Sequence, residues 1–400
     1  MIYLDHAAAT PVSPRVREAM EPYFADLFFN PSAAYLPAKR VREDFEAAKG
    51  KIANFIGAKG NDLVITSGAT EANALAFTSV ISSFSARTQS KISPKEQLPK
   101  NPVILVLETE HDSVLKNAAK YPFSTIKVDK TGLIDLKDLR KKLTDDVRLV
   151  SISLANNELG TIQPLSEVAE ILREVRTDRL KRGIATPIFL HSDASQGLSL
   201  LEINVARLGV DLLTLNAAKV CGPKGVGALY VGHDVRLEPL QLGGGQERNL
   251  RSGTENVAGT IGFAAALEAV KGHAPSVRKN YTRLVENLKA ELKKAKVEPV
   301  FLGSKNHKLA NFLPVSFPGL DAERLVYKLE EKEVYVSTGA ACAASKGEPS
   351  HVLRAIGLSD EEIAGSLRLS LGVLNNEENI KEAGRLIREA VDAEYERNKK

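Results

Sequence analysis

Several short stretches of this chain hold side chains whose types and spacing could do chemistry. Thr66-Ser67-Gly68-Ala69-Thr70-Glu71 follows an apolar run and opens a pattern of helical period. Small residues and hydroxyls at a strand-to-helix turn let backbone N–H groups close on an anion, so Ala69 and Thr70 are candidate phosphate contacts. An ordinary capped turn would have the same composition. Leu190-His191-Ser192-Asp193-Ala194-Ser195-Gln196 ends another apolar run. A carboxylate there sits on the ligand-bearing edge of a parallel sheet, although Asp193 could equally cap the next helix. In Asn216-Ala217-Ala218-Lys219-Val220-Cys221-Gly222-Pro223 a lysine stands between an apolar run and a Gly-Pro turn. Desolvation in such a setting lowers an amine's pKa and favours Schiff-base chemistry. A lysine for an imine, an acid for a pyridinium nitrogen and a helix-turn anion site are the three demands of pyridoxal phosphate. His111, in Glu108-Thr109-Glu110-His111-Asp112-Ser113, adds an imidazole that could cover a ring face and move protons.

Two further features complete the set. Cys342 lies in Ser337-Thr338-Gly339-Ala340-Ala341-Cys342-Ala343-Ala344-Ser345, a run of small residues that reads as a loop presenting a thiol. A thiol near its ordinary pKa is only a few per cent thiolate at neutral pH, so it needs a base or cation beside it. Cys221, next to an apolar run and a rigid turn, reads as a buried structural thiol. Arg368, in the alternating Ser366-Leu367-Arg368-Leu369-Ser370, offers a planar fork suited to a carboxylate or an ion pair.

The elements that must position these groups follow from the apolar pattern. Runs at 63–65, 103–107, 125–128, 149–154, 187–190, 211–215 and 226–231 alternate with stretches of helical period such as Leu165, Val168, Ala169, Leu172 and Val175. That alternation predicts an α/β fold with a mostly parallel, seven-stranded sheet. After about residue 255 a helical region (257–296) leads to shorter runs at 297–301, 313–317, 334–337 and 367–370. Asn376-Glu377-Glu378 then opens an N-capped terminal helix. The expected organisation is a large domain over 15–255, with 1–14 and 256–400 forming a smaller α+β domain. Residues 82–101 read as a polar surface excursion.

Composition narrows the classes of function. A charged fraction of 26% with a net charge of +4 gives no electrostatic case for nucleic acid or membrane as a partner, since such binding wants a clustered basic surface. Two cysteines cannot make a disulfide framework, and the opening Met1-Ile2-Tyr3-Leu4-Asp5-His6 is no signal segment. A cytoplasmic location and no metal site are the corresponding expectations. The most apolar helix-like run, 258–270, is too short to span a bilayer.

The order of these residues resembles that of the cysteine desulfurases in the class-V aminotransferase family. The resemblance runs from Tyr3-Leu4-Asp5-His6-Ala7-Ala8-Ala9-Thr10-Pro11 and Asn30-Pro31-Ser32 through Asn156-Asn157-Glu158-Leu159-Gly160 to Gly243-Gly244-Gly245-Gln246-Glu247-Arg248 and Arg251-Ser252-Gly253-Thr254. It continues in Glu348-Pro349-Ser350-His351-Val352-Leu353-Arg354 and Arg368-Leu369-Ser370-Leu371-Gly372. It implies the type I fold of pyridoxal-phosphate-dependent transferases and a homodimer. Lys219 would carry the cofactor, His111 would stack on its ring, and Asp193 would pair with its nitrogen. Gln196 and Asn157 would bond the ring's hydroxyl side. Ala69, Thr70 and Asn216 would serve the phosphate, with Thr254 reaching it from the other subunit. Arg368, Asn157 and Asn30 would hold L-cysteine, and Cys342 would take its sulfur as a persulfide. Such enzymes pass the sulfur to an acceptor in iron–sulfur cluster assembly or tRNA thiolation.

Another class-V reaction, such as selenocysteine lysis or amino transfer, and a binding homologue without turnover are the alternatives. The chain departs from the family in having Asn216-Ala217-Ala218 where Ser-Gly-His is usual before the lysine. Asn216 can still donate a hydrogen bond, whereas the side chain of Ala218 cannot. Loss of one charge-assisted bond costs about 1.5–3 kcal/mol unless something compensates.

Overall fold

The computed structural model describes residues 1–85, 103–184, 186–338 and 349–399; Cys342 lies outside them. After a two-residue strand, β1 (Ile2–Tyr3), the chain builds its large sheet from β2 (Leu63–Thr66), β3 (Ile104–Leu107), β4 (Phe123–Ile126), β5 (Leu149–Ser151), β6 (Phe189–Asp193), β7 (Leu212–Asn216) and β8 (Gly227–Val231). The spatial order is β2-β8-β7-β6-β5-β3-β4. Only β8 runs against its neighbours, pairing antiparallel with both β2 and β7. Every residue of β2, β3 and β5 is buried, which is why they read as unbroken apolar runs. β4 sits at the edge and is half-exposed, and it lies two residues upstream of the expected 125–128 run. Val128 instead bridges to Ile134 in the following turn.

Because β2, β3, β5, β6 and β7 all run the same way, their C-terminal ends emerge along one edge. Asp193 ends β6, and the segments that follow the other strands carry Ala69, His111, Asn157 and Lys219. The sheet therefore gathers on one rim groups that are far apart in sequence.

The second unit is an antiparallel sheet, β12-β13-β10-β9, made from β9 (Val300–Phe301), β10 (Phe312–Ser316), β11 (Val334–Tyr335), β12 (Ser337–Thr338) and β13 (Ser366–Ser370), with β11 pairing instead in parallel with β1. Its core joins Leu4, Phe312, Val315, Leu367 and Leu369 to Leu284 and Leu288 of the helix Ala274–Leu292 and to Ile380, Ile387 and Val391 of the helix Glu377–Asn398. Asn376 caps that last helix, its side-chain oxygen accepting from the Asn379 amide at 2.9 Å.

The helical region 257–296 divides into Val257–Val270 and Ala274–Leu292. Phe263, Ala264 and Leu267 of the first share the core beneath the large sheet, with Ile52 and Val16. A Cβ on its Gly262 would lie 2.5 Å from Met20 Sδ, so the Gly/Ala-rich sequence is what allows this close approach. In packing, this helix goes with the large sheet, whereas the sequence expectation assigned it to the smaller unit. The texture of the sequence changes near 255 because small residues suit a tight helix contact, before the chain leaves the large core.

Among the described residues no helix is long and apolar enough to cross a membrane, and no group of three or more His, Cys, Asp or Glu could hold a metal ion.

On the smaller unit, the fully buried Glu394 carboxylate meets Arg324 Nε at 2.7 Å, Lys328 Nζ at 2.5 Å and Arg397 Nε at 2.8 Å. Burial alone would raise its pKa, but the bonds from Arg397, Lys328 and Arg324 outweigh that and hold it at about 2. A depressed carboxyl stabilises the fold above its unfolded value of 4.5, and that contribution is lost as pH falls towards 2. Glu394→Gln should therefore melt earlier than wild type at pH 7, and the difference should narrow below pH 4.5 and be nearly gone at about pH 2. Thermal melts at both pH values check this; an unchanged gap across the range would contradict it.

Candidate active site

One cavity of about 340 Å³ opens at the C-terminal rim of the large sheet, and Ala69, Thr70, His111, Asn157, Asp193, Gln196, Asn216, Lys219 and Arg368 all line it. At one side of it lies the N-terminus of the helix Ala69–Ser85. The first amides of a helix have no carbonyl one turn back, so those of Ala69 and Thr70 are available to an anion. Glu71 in the same turn would repel an anion. Its carboxylate instead accepts from Arg251 Nε at 2.9 Å and from the Ser67 amide at 2.7 Å. Those bonds outweigh its burial and keep it ionised. A Cβ at Gly227 would stand 2.6 Å from the Leu215 carbonyl and 2.8 Å from Gly68 Cα, so only glycine lets β8 pass behind the turn.

Asp193, the last residue of β6, is fixed by both oxygens. Oδ1 accepts from the Ser195 amide and Oδ2 from Asn73 Nδ2, each at 2.9 Å. The same Asn73 amide donates to Ser113 Oγ at 2.9 Å, and that hydroxyl lies 2.9 Å from His111 Nδ1. Asn73, fully buried, thus ties the carboxylate and the imidazole to one scaffold. Two residues before Asp193, His191 is wedged between Ser151 Oγ at 2.8 Å and Thr214 Oγ1 at 3.0 Å. Its complete burial lowers its pKa to about 4, so it supports the rim as a neutral ring. His111 opens to the cavity, yet the surrounding protein lowers its pKa against the opposing pull of Asp193 and Asp112.

Lys219 closes a short turn after β7, where the Asn216 side chain accepts from the Ala218 amide at 3.2 Å. Its Nζ donates to the carbonyls of Ala7 at 2.8 Å and Ala8 at 2.6 Å, and Gln196 Nε2 donates to the same Ala7 oxygen at 3.0 Å. The N-terminal segment is thus a wall of the site. It is pinned there by the Ala7 amide on Ser370 Oγ at 2.8 Å. Arg368 is buried with Nη2 on Asp5 Oδ1 at 2.6 Å and Nη1 on the Asn157 carbonyl at 3.2 Å.

The cavity also holds groups that the sequence reading did not single out, Glu110, Glu158 and His351, and Asp5 and Asn73 bond its lining residues Arg368 and Asp193. Burial, with a further push from Asp193, raises Glu110 to about 8 against the Ser153 amide that bonds its Oε1 at 2.6 Å. Burial raises Glu158 to about 7, opposed by Ser350 Oγ at 2.6 Å and by Arg368. Both glutamates lie inside motifs already conspicuous for chemistry, Thr109-Glu110-His111 and Asn157-Glu158-Leu159. An acid flanking a strand end between other site residues is the signal that could have found them.

Two expected residues lie elsewhere in the single chain. Asn30, expected against the substrate, is exposed and does not line the cavity; its Oδ1 accepts from the Ser32 amide at 2.8 Å. Its Asn-Pro-Ser sequence makes a local Asx turn and does not reach the rim. Thr254 lines a separate cleft of about 190 Å³ with Ser67, Glu247 and Arg251. Cys221 is half-buried and its thiol pKa is raised by burial.

The sequence model of the family described as Aminotransferase class-V matches residues 2–382. The cysteine desulfurase IscS 1 of Archaeoglobus fulgidus is 39% identical over 391 residues, covering 95% of this chain and 94% of that protein. The cysteine desulfurase IscS of Dictyoglomus turgidum is 37% identical over 385 residues, 95% of this chain and 91% of its own. Among solved structures, a NifS-like protein superposes with a TM-score of 0.85 at 30% identity, covering 97% of this chain and 98% of that one. The structure of SspA in complex with cysteine matches with a TM-score of 0.77 at 30% identity, over 93% of this chain and 99% of that one. With that coverage, and with the expected lysine, acid and imidazole on one rim, the chain belongs to the class-V aminotransferase family.

Proposed function

We propose that this protein is a pyridoxal-phosphate-dependent cysteine desulfurase that moves the sulfur of L-cysteine to Cys342 and leaves L-alanine. The observation that carries the reading is the convergence of Lys219, Asp193, His111 and Arg368 on one cavity. The donor set fits the cofactor: an amine for its aldehyde, a doubly anchored carboxylate for its ring nitrogen, and helix amides for its phosphate. When bound, the cofactor supplies a carbonyl carbon and a conjugated ring that takes up an electron pair. Lys219 would hold it, with His111 against one ring face. Asn157 and Gln196 would serve its hydroxyl side, and Asn216 would assist the phosphate end in place of the usual serine. Asp193, held by Asn73 and Ser195, would keep the ring nitrogen protonated.

The chain's own groups do the rest. Arg368 would fork onto the substrate carboxylate, with Asn157 beside it, while Lys219 Nζ moves the proton at the α-carbon. Sulfur transfer balances without an external oxidant: L-cysteine and the Cys342 thiol become L-alanine and a persulfide on Cys342. The thiol must stay reduced for this, which suits a cytoplasmic setting. The persulfide sulfur would pass to an acceptor protein for iron–sulfur cluster assembly or tRNA thiolation.

A homodimer is part of the reading. Phe24, Phe28, Tyr35, Leu36 and Leu242 are exposed, Leu36 at 79% and Leu242 at 87%, and large apolar side chains left this open suit burial against a second copy. Thr254, outside its own chain's cavity, would then serve the partner's phosphate.

Mass spectrometry after mixing the cofactor-loaded protein with L-cysteine tests the proposal. The Cys342 peptide should gain one sulfur as one alanine forms, and a reductant should then release sulfide. An unmodified Cys342 peptide despite alanine formation would exclude the persulfide route, and absence of alanine would exclude the activity.

A further inference from the structure

The turn that opens the helix Ala69–Ser85 stands between two clefts. Ala69 and Thr70 line the large cavity, whereas Thr66 and Ser67 line the smaller cleft together with Arg251 and Thr254. Glu71 belongs to the same first turn. Its Oε2 accepts from the Ser67 amide at 2.7 Å, and its Oε1 accepts from Arg251 Nε at 2.9 Å. The guanidinium thus reaches the turn from behind, through a carboxylate, and does not itself line the large cavity. The Glu71 side chain is 18% exposed and that of Arg251 25%, so solvent screens the pair only in part.

The position of Arg251 is held by its own segment. Four residues earlier, the buried Glu247 accepts at Oε2 from Lys49 Nζ at 2.9 Å and from the Ile65 amide of β2 at 3.0 Å. Residues 247–251 therefore grip β2 at one end and the turn that follows β2 at the other. In between, Glu247, Arg248 and Asn249 take φ of 46°, 61° and 64°, a left-handed backbone that residues with a side chain avoid. The anchors at Glu247 and Arg251 hold the segment in a shape that its sequence does not favour.

A phosphate monoester brings about −1.5 to −2 charges at neutral pH. The helix N-terminus attracts it, while an ionised Glu71 beside the same amides repels it. We propose that Arg251 is a positioning residue for the cofactor's phosphate: it holds the Glu71 carboxylate against the Ser67 amide and cancels its charge, so that the Ala69 and Thr70 amides meet the phosphate without an uncompensated anion behind them. The inference rests on the cofactor part of the proposed function.

Arg251→Gln removes the cation and keeps a hydrogen-bonding side chain. Cofactor-free protein is titrated with pyridoxal phosphate and with pyridoxal, following the visible absorption band that each aldehyde forms, so that the phosphate is read separately from the ring. R251Q should bind pyridoxal phosphate about tenfold or more weakly than wild type, yet pyridoxal within about threefold. E71Q/R251Q should return to within about threefold of wild type, because glutamine still accepts from the Ser67 amide and carries no charge. R251K, which keeps the charge and loses the fork, should lie closer to wild type than R251Q does. Equal losses for both aldehydes would show general damage, and a double variant as weak as R251Q would show that Arg251 acts without Glu71; either result overturns the proposal. If R251Q does not fold, E71Q decides. With the carboxylate gone and the guanidinium kept, it should bind pyridoxal phosphate at least as tightly as wild type, and a loss of about tenfold overturns the proposal. If wild type binds neither aldehyde, the cofactor reading falls and this inference falls with it. If wild type prefers the phosphorylated aldehyde and R251Q prefers it equally, only the role of Arg251 fails.

Discussion

Replacing Lys219 by alanine should lower L-cysteine turnover by at least about 10³-fold, because under the proposed function one side chain would serve both attachment and proton transfer. The structure argues that this loss will be local. Lys219 ends a turn whose shape is set by the Asn216 cap and by the backbone bond from the Gly222 amide to the Ala217 carbonyl, at 3.0 Å. Neither depends on the lysine side chain. What the variant gives up is the pair of bonds from Nζ to the Ala7 and Ala8 carbonyls. Ala7 keeps its amide bond to Ser370 and its bond from Gln196, so the wall should stay in place. The measurement is a pair of readings on cofactor-loaded protein. Borohydride reduction should label wild type at Lys219 and leave K219A unlabelled, while melting temperatures stay within a few degrees. A variant that retained a tenth of the wild-type rate would remove Lys219 from the centre of the chemistry.

Arg368→Leu should raise the KM for L-cysteine by about 10²-fold or more, since hydrogen bonds between charged groups are worth about 1.5–3 kcal/mol each. It should also destabilise the fold, which distinguishes it from the lysine variant. Arg368 is buried and bonded to Asp5 at 2.6 Å, and removing one member of a buried pair strands the other; that typically costs about 3–5 kcal/mol. Asp5 is partly accessible, so the lower end applies. Asp5→Asn combined with Arg368→Leu should recover much of the stability and none of the affinity. Arg368→Lys, which keeps the charge but loses the fork, should fall between wild type and leucine in KM. An unchanged KM in R368L, with stability lost, would confine the arginine to its tie with Asp5.

What could be read from the chain alone follows from where the information lies. The strands of the large sheet are buried on both faces, so their apolar runs are visible without knowledge of their neighbours. Lys219, Asp193 and His111 each follow such a run, and a shared strand direction suffices to bring them together. Asp5 and Ser370 escaped because their roles depend on a pairing across almost the whole chain, which no local pattern encodes. Glu110 and Glu158 look like ordinary acids in sequence. Their raised pKa values come from the burial around them, a property of the assembled rim. Asn73 was hidden for the opposite reason: it sits in a regular helix, and only the distances from its amide to Asp193 and Ser113 reveal it as a brace.

The wall formed by residues near the start of the chain has a consequence for biosynthesis. Ala7 and Asp5 are held by Ser370 and Arg368, each synthesised 363 residues later. A nascent chain can already fold the sheet that carries Lys219, yet its pocket stays open on one side until β13 arrives. Contacts so distant in sequence form late. The site is therefore completed by the closing of a loop of 363 residues, and removal of either the 5–7 segment or β13 should cost the pocket before it costs the large sheet.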